Sequence, residues 1–290
     1  MFYFLLSISA STAIFLVFKL FPRFGLQTYQ AIVFNYWTAF LFGTTLLPRS
    51  GFSGWQDYEW IWLAPIEGLL FISIFTVMAL TVQKHSVTVG SVASRTAMII
   101  PAAVFMFMDP QEGFSVLKVI GILLALGAVV LSSKRNEKVT LDQRYVYLPI
   151  ILFVGSGLVD LIIGYAQGYL MQTPEEAMVF IPSIFLVAAV IGTSFLIYRY
   201  RVKKDIQWQW KDVIGGLVLG LVNYASIFFI IKAMDTGLLH TSLFFPVHNM
   251  GVILAGTMMG LFAFRERLSV VNWVGIIIGL LAIGMIIFPN

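Results

Sequence analysis

Cysteine is absent from this chain of 290 residues, and histidine occurs only as His85, His240 and His248. The first absence excludes disulfide frameworks, thiolate metal sites and cysteine nucleophiles. The second leaves too few imidazoles for a transition-metal centre. Charge is scarce as well: 11% of the residues are Asp, Glu, Lys or Arg, against about a quarter in soluble domains. There is no phosphate-binding Gly-x-x-x-x-Gly-Lys loop, no Gly-x-Ser-x-Gly elbow and no His-Glu-x-x-His pair. The acidic residues are scattered along the chain, not gathered at one interface as a lipid-processing enzyme requires. The expectation is a protein that is not an enzyme and carries no cofactor or metal. What the chain has is apolar surface, with 59% hydrophobic and 15% aromatic residues, more than one soluble core of this size can hide. The chain belongs in a bilayer.

A transmembrane helix needs about 20 mostly apolar residues. Ten stretches qualify, at 2–20, 29–47, 60–82, 88–108, 114–132, 146–170, 177–198, 212–232, 238–263 and 269–288. They predict an all-α membrane protein of ten transmembrane helices, multi-pass in the cell (inner) membrane, with the longest loops at 133–145 and 199–211. The first stretch has neither a basic start nor a small-residue cleavage site, so it reads as a helix and not a signal peptide. The net charge of +4 does not point to nucleic acid, because the basic residues sit in short loops and report topology. Of the 18 Lys and Arg, all but Arg49, Lys118 and Lys232 lie in or near the loops after helices 1, 3, 5, 7 and 9. The positive-inside rule makes that side cytoplasmic and turns both termini outward.

The chain also repeats itself. At one constant offset, Glu112, Ser115, Gly121, Leu126 and Ala128 coincide with Glu266, Ser269, Gly275, Leu280 and Ala282. Apolar composition alone matches Leu with Leu but does not match the polar Glu and Ser or the shared Gly. Upstream, Lys84 and Lys232 each close a long helix, and each is followed by a helix containing a proline, Pro101 or Pro246. Ten helices thus divide into a first five-helix repeat (1–132), a cytoplasmic linker (133–145) and a second five-helix repeat (146–290). An odd number of helices per half forces the halves into opposite orientations, the inverted-repeat plan of many secondary transporters.

On these residues, with Arg265-Glu266-Arg267-Leu268-Ser269 and Gly275 in the second repeat and Gln111-Glu112-Gly113-Phe114-Ser115 in the first, the chain resembles the drug/metabolite transporter superfamily and its EamA-like members. The likeness is specific over about 80–131 and 230–288. It implies a small-metabolite or drug carrier, often an exporter, with its pocket between the two halves.

Ionisable groups at membrane depth cost at least about 2.5–3.5 kcal/mol at a helix centre, so each is a candidate functional residue. Asp160 lies roughly 20 Å into its helix at 1.5 Å per residue, and Glu67 comes out at a similar height in helix 3. Asn223, His248 and Asn249 fall near the midplane, with Arg95 somewhat closer to the cytoplasm. Burial disfavours the ionised form of a carboxylate, which suits Asp160, then Glu67, to proton coupling. Arg95, Asn223, His248 and Asn249 are the expected substrate contacts, with Arg95 free to pair with Asp160 or Glu67 when the pocket is empty. Structural alternatives stand beside these: a fixed interhelix pair for Asp160, snorkelling for Glu67, a cytoplasmic anchor for Arg95, polar glue for Asn223 and His248. Pro101 and Pro246 each remove a backbone donor and are expected to kink their helices beside the pocket. Small-residue pairs such as Gly216/Gly220, Gly256/Gly260 and Gly275/Gly279 suit close helix packing, within the bundle or across a homodimer. The expected function is a secondary transporter of a small-molecule substrate, working among membrane lipids with protons as the coupling ion. An uncoupled facilitator and a membrane enzyme or accessory protein handling lipid-linked intermediates are the alternatives.

Overall fold

The computed structural model describes residues 1–47, 51–52, 54–108, 116–133, 145–204, 207–235 and 241–287. Among them there is no strand. The helices are α1 (Phe2–Leu20), α2 (Thr28–Gly43), α3 (Leu63–Lys84), α4 (Val87–Thr96), α5 (Ile99–Met108), α6 (Val116–Ser133), α7 (Leu148–Tyr165), α8 (Pro174–Tyr198), α9 (Trp210–Asp235), α10 (Thr241–Phe264) and α11 (Val270–Ile287). Seven helical segments among the described residues are long and apolar enough to cross a membrane, which makes this a multi-pass membrane protein. α2 spans only 16 residues, and the apolar runs of α6 and α11 are shorter still than a full span, Val119–Ser132 and Val270–Met285. Arg49, Glu112, Ser115, His240 and most of the linker lie outside the described residues.

Two elements differ from expectation. The stretch 88–108 is not one helix but two, α4 and α5, separated at Ala97 and Met98. Pro101 explains the break: it has no N–H to offer the carbonyl four residues back, and its ring crowds that carbonyl. That carbonyl belongs to Ala97, which accepts instead from the Ile100 N–H at 2.9 Å. Pro246 has no such effect on α10, which runs unbroken through it. The carbonyl it would crowd, Ser242, lies in the first turn, where a helix end has room to adjust. The second difference is the loop at 199–211, where the chain stays helical through Arg199–Lys203 as a wide turn extending α8.

The chain forms two compact units, each drawing segments from both sequence halves. The first comprises Met1–Lys19, Val77–Leu161 and Ser226–Asn290. Here α6 packs along α11 and α4 against α10. The α6–α11 contact is reciprocal: Gly121 faces the Ala282 carbonyl, and Gly275 faces the Ala128 carbonyl. Those are positions that the sequence offset pairs, Gly121 with Gly275 and Ala128 with Ala282. At one end of the pair, Asn272 donates to the carbonyls of Leu131 at 3.3 Å and Ser132 at 2.9 Å.

Glu266, from the turn between α10 and α11, satisfies the start of α4. Its carboxylate accepts from the Val87 N–H at 2.8 Å and the Thr88 hydroxyl at 2.9 Å. Lys19, at the end of α1, lies 3.9 Å from the same carboxylate and donates to the Val82 carbonyl at 3.0 Å. An up-and-down reading of the helices puts the ends of α1 and α3, the start of α4 and the α10–α11 turn on one face, and here they meet. Glu266→Ala is expected to leave the α4 N–H groups unsatisfied and to destabilise the protein by about 1–3 kcal/mol. A thermal midpoint in detergent unchanged from wild type would contradict that.

The second unit comprises Leu20–Thr76 and Ile162–Ala225, with α2 packed against α8. α9 lies close on α2 because Gly216 and Gly220 carry no side chain: a Cβ there would stand 2.6 Å from the Ala31 carbonyl and 2.9 Å from that of Asn35. At one end Asp212 accepts from the Gln27 N–H at 2.7 Å, capping α2 from the start of α9. At another point buried Trp60, just before α3, donates to Glu176 at 3.0 Å. Glu176 also accepts from the Thr173 N–H, closing a capping box at the start of α8.

Candidate functional site

Arg95, Asp160, His248 and Asn249 come together inside the first unit. Arg95 ends α4, immediately before the break, and its guanidinium lies over the Phe15 ring of α1 at 5.9 Å. Its Nε is buried without a hydrogen-bond partner. The charge of Asp160 on α7 acts on it, and its own charge acts on Asp160 and on His248 of α10. No ion pair joins Arg95 to Asp160. The two opposite charges therefore act on each other without a direct ion pair.

Helix faces show which way Asp160 is turned. On α7 the outer face carries Ile150, Ile151, Val154 and Leu158, all exposed. Phe153 and Ser156 lie on the opposite, buried face, and Asp160 continues their row one turn on. Asp160 is nonetheless accessible. The carboxylate is thus turned away from the exposed apolar face of α7, toward the side on which its neighbours pack. One turn back, Gly157 lets the α4–α5 break approach α7, with the Ala97 carbonyl 3.0 Å from where a Cβ would stand. The break thus sits beside Asp160, as irregular backbone at membrane depth does where it lines a cavity.

His248 is 1% exposed. Its ring stacks on Phe244 and meets Phe4 edge-on, each with centroids 6.1 Å apart. It donates to the Ser7 carbonyl of α1, while Nε2 has no partner. Asn249 donates to the sulfur of Met98, in the α4–α5 break, at 3.0 Å. The cluster is therefore built by α1 and α4 from one sequence half and α7 and α10 from the other.

The remaining two sequence candidates lie in the second unit. Glu67 is 0% exposed near the start of α3, so it does not snorkel outward. Asn223 of α9 donates to Asn35 of α2 at 3.2 Å, a polar bond joining two packed helices. Neither Glu67 nor Asn223 belongs to the cluster around Arg95.

No family model matches the chain. It is 31% identical over 287 residues to an uncharacterised protein of Haemophilus influenzae, a match covering 96% of this chain and 94% of that protein. The chain belongs to that protein's family. The match spans nearly all of both chains.

Sequence reading missed Ser7, Met98 and Asn35. Ser7 and Phe15 lie on one stripe of α1, with Ser11 between them at helical spacing. All three are buried, and small polar residues recurring every fourth position in an apolar helix were the available signal.

Proposed function

We propose that this protein is a secondary transporter, probing as its cargo small metabolites or drug-like compounds, of the EamA-like drug/metabolite type. It spans the inner membrane ten times as two inverted five-helix repeats, alternates access between its two faces, and couples transport to protons at Asp160. One observation carries this reading: an accessible carboxylate on a buried helix face, opposite an arginine with which it makes no ion pair. The reciprocal α6–α11 contact supports the inverted repeat, and the origin of the cluster in both halves supports a site at the repeat interface. The broken helix α4–α5 supports a flexing point beside that site. Arg95, His248 and Asn249 hold the substrate, and Glu67 and Asn223 support the scaffold.

The test is a release screen. Proteoliposomes are loaded with fractionated cell metabolites, a pH gradient is imposed, and whatever leaves is identified by mass spectrometry. Gradient-dependent release of a soluble compound, absent from empty liposomes, is the expected result. Release indifferent to the gradient identifies a facilitator and removes the coupling. No release of any soluble compound removes the transport reading.

A further inference from the structure

The charges at the site restrict what it carries. Arg95 and Asp160 are one cation and one anion in an apolar surround, and the ionisable groups near them are few. From α4 comes Arg95 and from α7 Asp160 itself. From α10 comes His248, which the charge of Arg95 reaches. α1 contributes Phe4, Ser7 and Phe15 here, and α5 has no ionisable side chain. With Asp160 ionised and His248 neutral, the empty site has no net charge, the condition under which a polar pocket crosses a membrane cheaply. An arriving anion that takes the Arg95 guanidinium leaves Asp160 without its counter-charge. Charge balance is restored when Asp160 takes up one proton from water. An arriving cation does the opposite: it pairs with Asp160 and leaves Arg95 uncompensated beside a ring and a neutral imidazole.

Resting on the transporter reading above, we infer that the substrate is an organic monoanion, held through its acidic group by Arg95 and the free Nε2 of His248, and carried together with one proton on Asp160. The phenyl rings of Phe4, Phe15 and Phe244 stand beside those donors and keep their surround apolar. Loaded and empty sites are then both neutral, so transport follows the pH gradient and is indifferent to membrane potential.

Binding in detergent tests the inference apart from transport. The probes are benzoate, benzenesulfonate and hexanoate, with phenyltrimethylammonium as the cationic counterpart. Titration calorimetry in buffers of different ionisation enthalpy counts protons exchanged on binding. The expected result is binding of at least one anion with uptake of about one proton per molecule near neutral pH. Asp160→Asn binds the same anion with no proton uptake. Arg95→Gln loses binding tenfold or more, whereas Arg95→Lys, which keeps the charge, retains part of it. Thermal midpoints of the variants separate lost binding from lost folding. Binding of the cation with proton release, or failure of every anion to bind, overturns the inference. Either result leaves the transporter reading to the release screen, and a negative screen overturns that reading whether or not an anion binds.

Discussion

Asp160→Asn is expected to abolish pH-driven net transport while sparing exchange of substrate across the membrane at equal pH. Asparagine keeps the size of the side chain and resembles the protonated carboxyl, so the loaded site is nearly unchanged. The empty site is not, because Arg95 then lacks the charge that faces it. Returning an empty carrier with an uncompensated arginine adds about 2.5–3.5 kcal/mol, which slows that step roughly a hundredfold at about 1.4 kcal/mol per tenfold. Exchange does not require the empty carrier to return, so it continues. Counterflow at equal pH and uptake under an imposed gradient, measured on the same proteoliposomes, separate the two modes. Equal gradient-driven uptake by variant and wild type removes Asp160 from coupling. Loss of both modes with an unchanged thermal midpoint makes Asp160 a substrate contact instead.

The cluster was legible in the sequence because ionisable residues in apolar helices are rare. Counting residues from helix ends put Asp160, His248 and Asn249 well inside the membrane with Arg95 somewhat closer to the cytoplasm, and the four lie together in the first unit. The same counting put Glu67 and Asn223 at that depth too, and they do not join the cluster. Depth is one coordinate; which way a side chain points around its helix, and which helix lies opposite, depend on packing that residue counts do not carry. Asn35 shows the same limit, since an uncharged polar residue in an apolar helix draws no attention until its partner Asn223 is placed beside it. Pro101 marked the right place, but the sequence did not distinguish a kink from a full break. The outcome depended on how close each proline stands to its helix start, and α10 begins near enough to Pro246 to absorb it.

The repeat yields a prediction of comparable size for stability. Gly121 and Gly275 occupy matching positions in the two halves, yet their surroundings differ. A Cβ at Gly121 would stand 3.4 Å from the Ala282 carbonyl oxygen, a tight but tolerable approach. At Gly275 it would collide with the Ser132 backbone nitrogen, and lie 2.9 Å from the Leu131 carbonyl carbon and 3.0 Å from the Ala128 oxygen. Backbone atoms cannot turn aside as a side chain does, so α11 must move off α6, weakening the bonds from Asn272 to Leu131 and Ser132 as it goes. Overpacking of this kind costs about 1–3 kcal/mol, and Gly275→Leu exceeds Gly275→Ala because the larger side chain has the same wall to displace. Gly275→Ala is therefore expected to lower the thermal midpoint in detergent clearly, Gly121→Ala to lower it little, and Gly168→Ala, whose Cβ meets nothing within 4 Å, to leave it unchanged. Equal losses at Gly121 and Gly275 would mean that the α6–α11 contact is closer to symmetric than these distances make it. No loss at Gly275 would mean that the two helices do not pack this closely in the membrane, and the reciprocal contact would no longer support an inverted repeat.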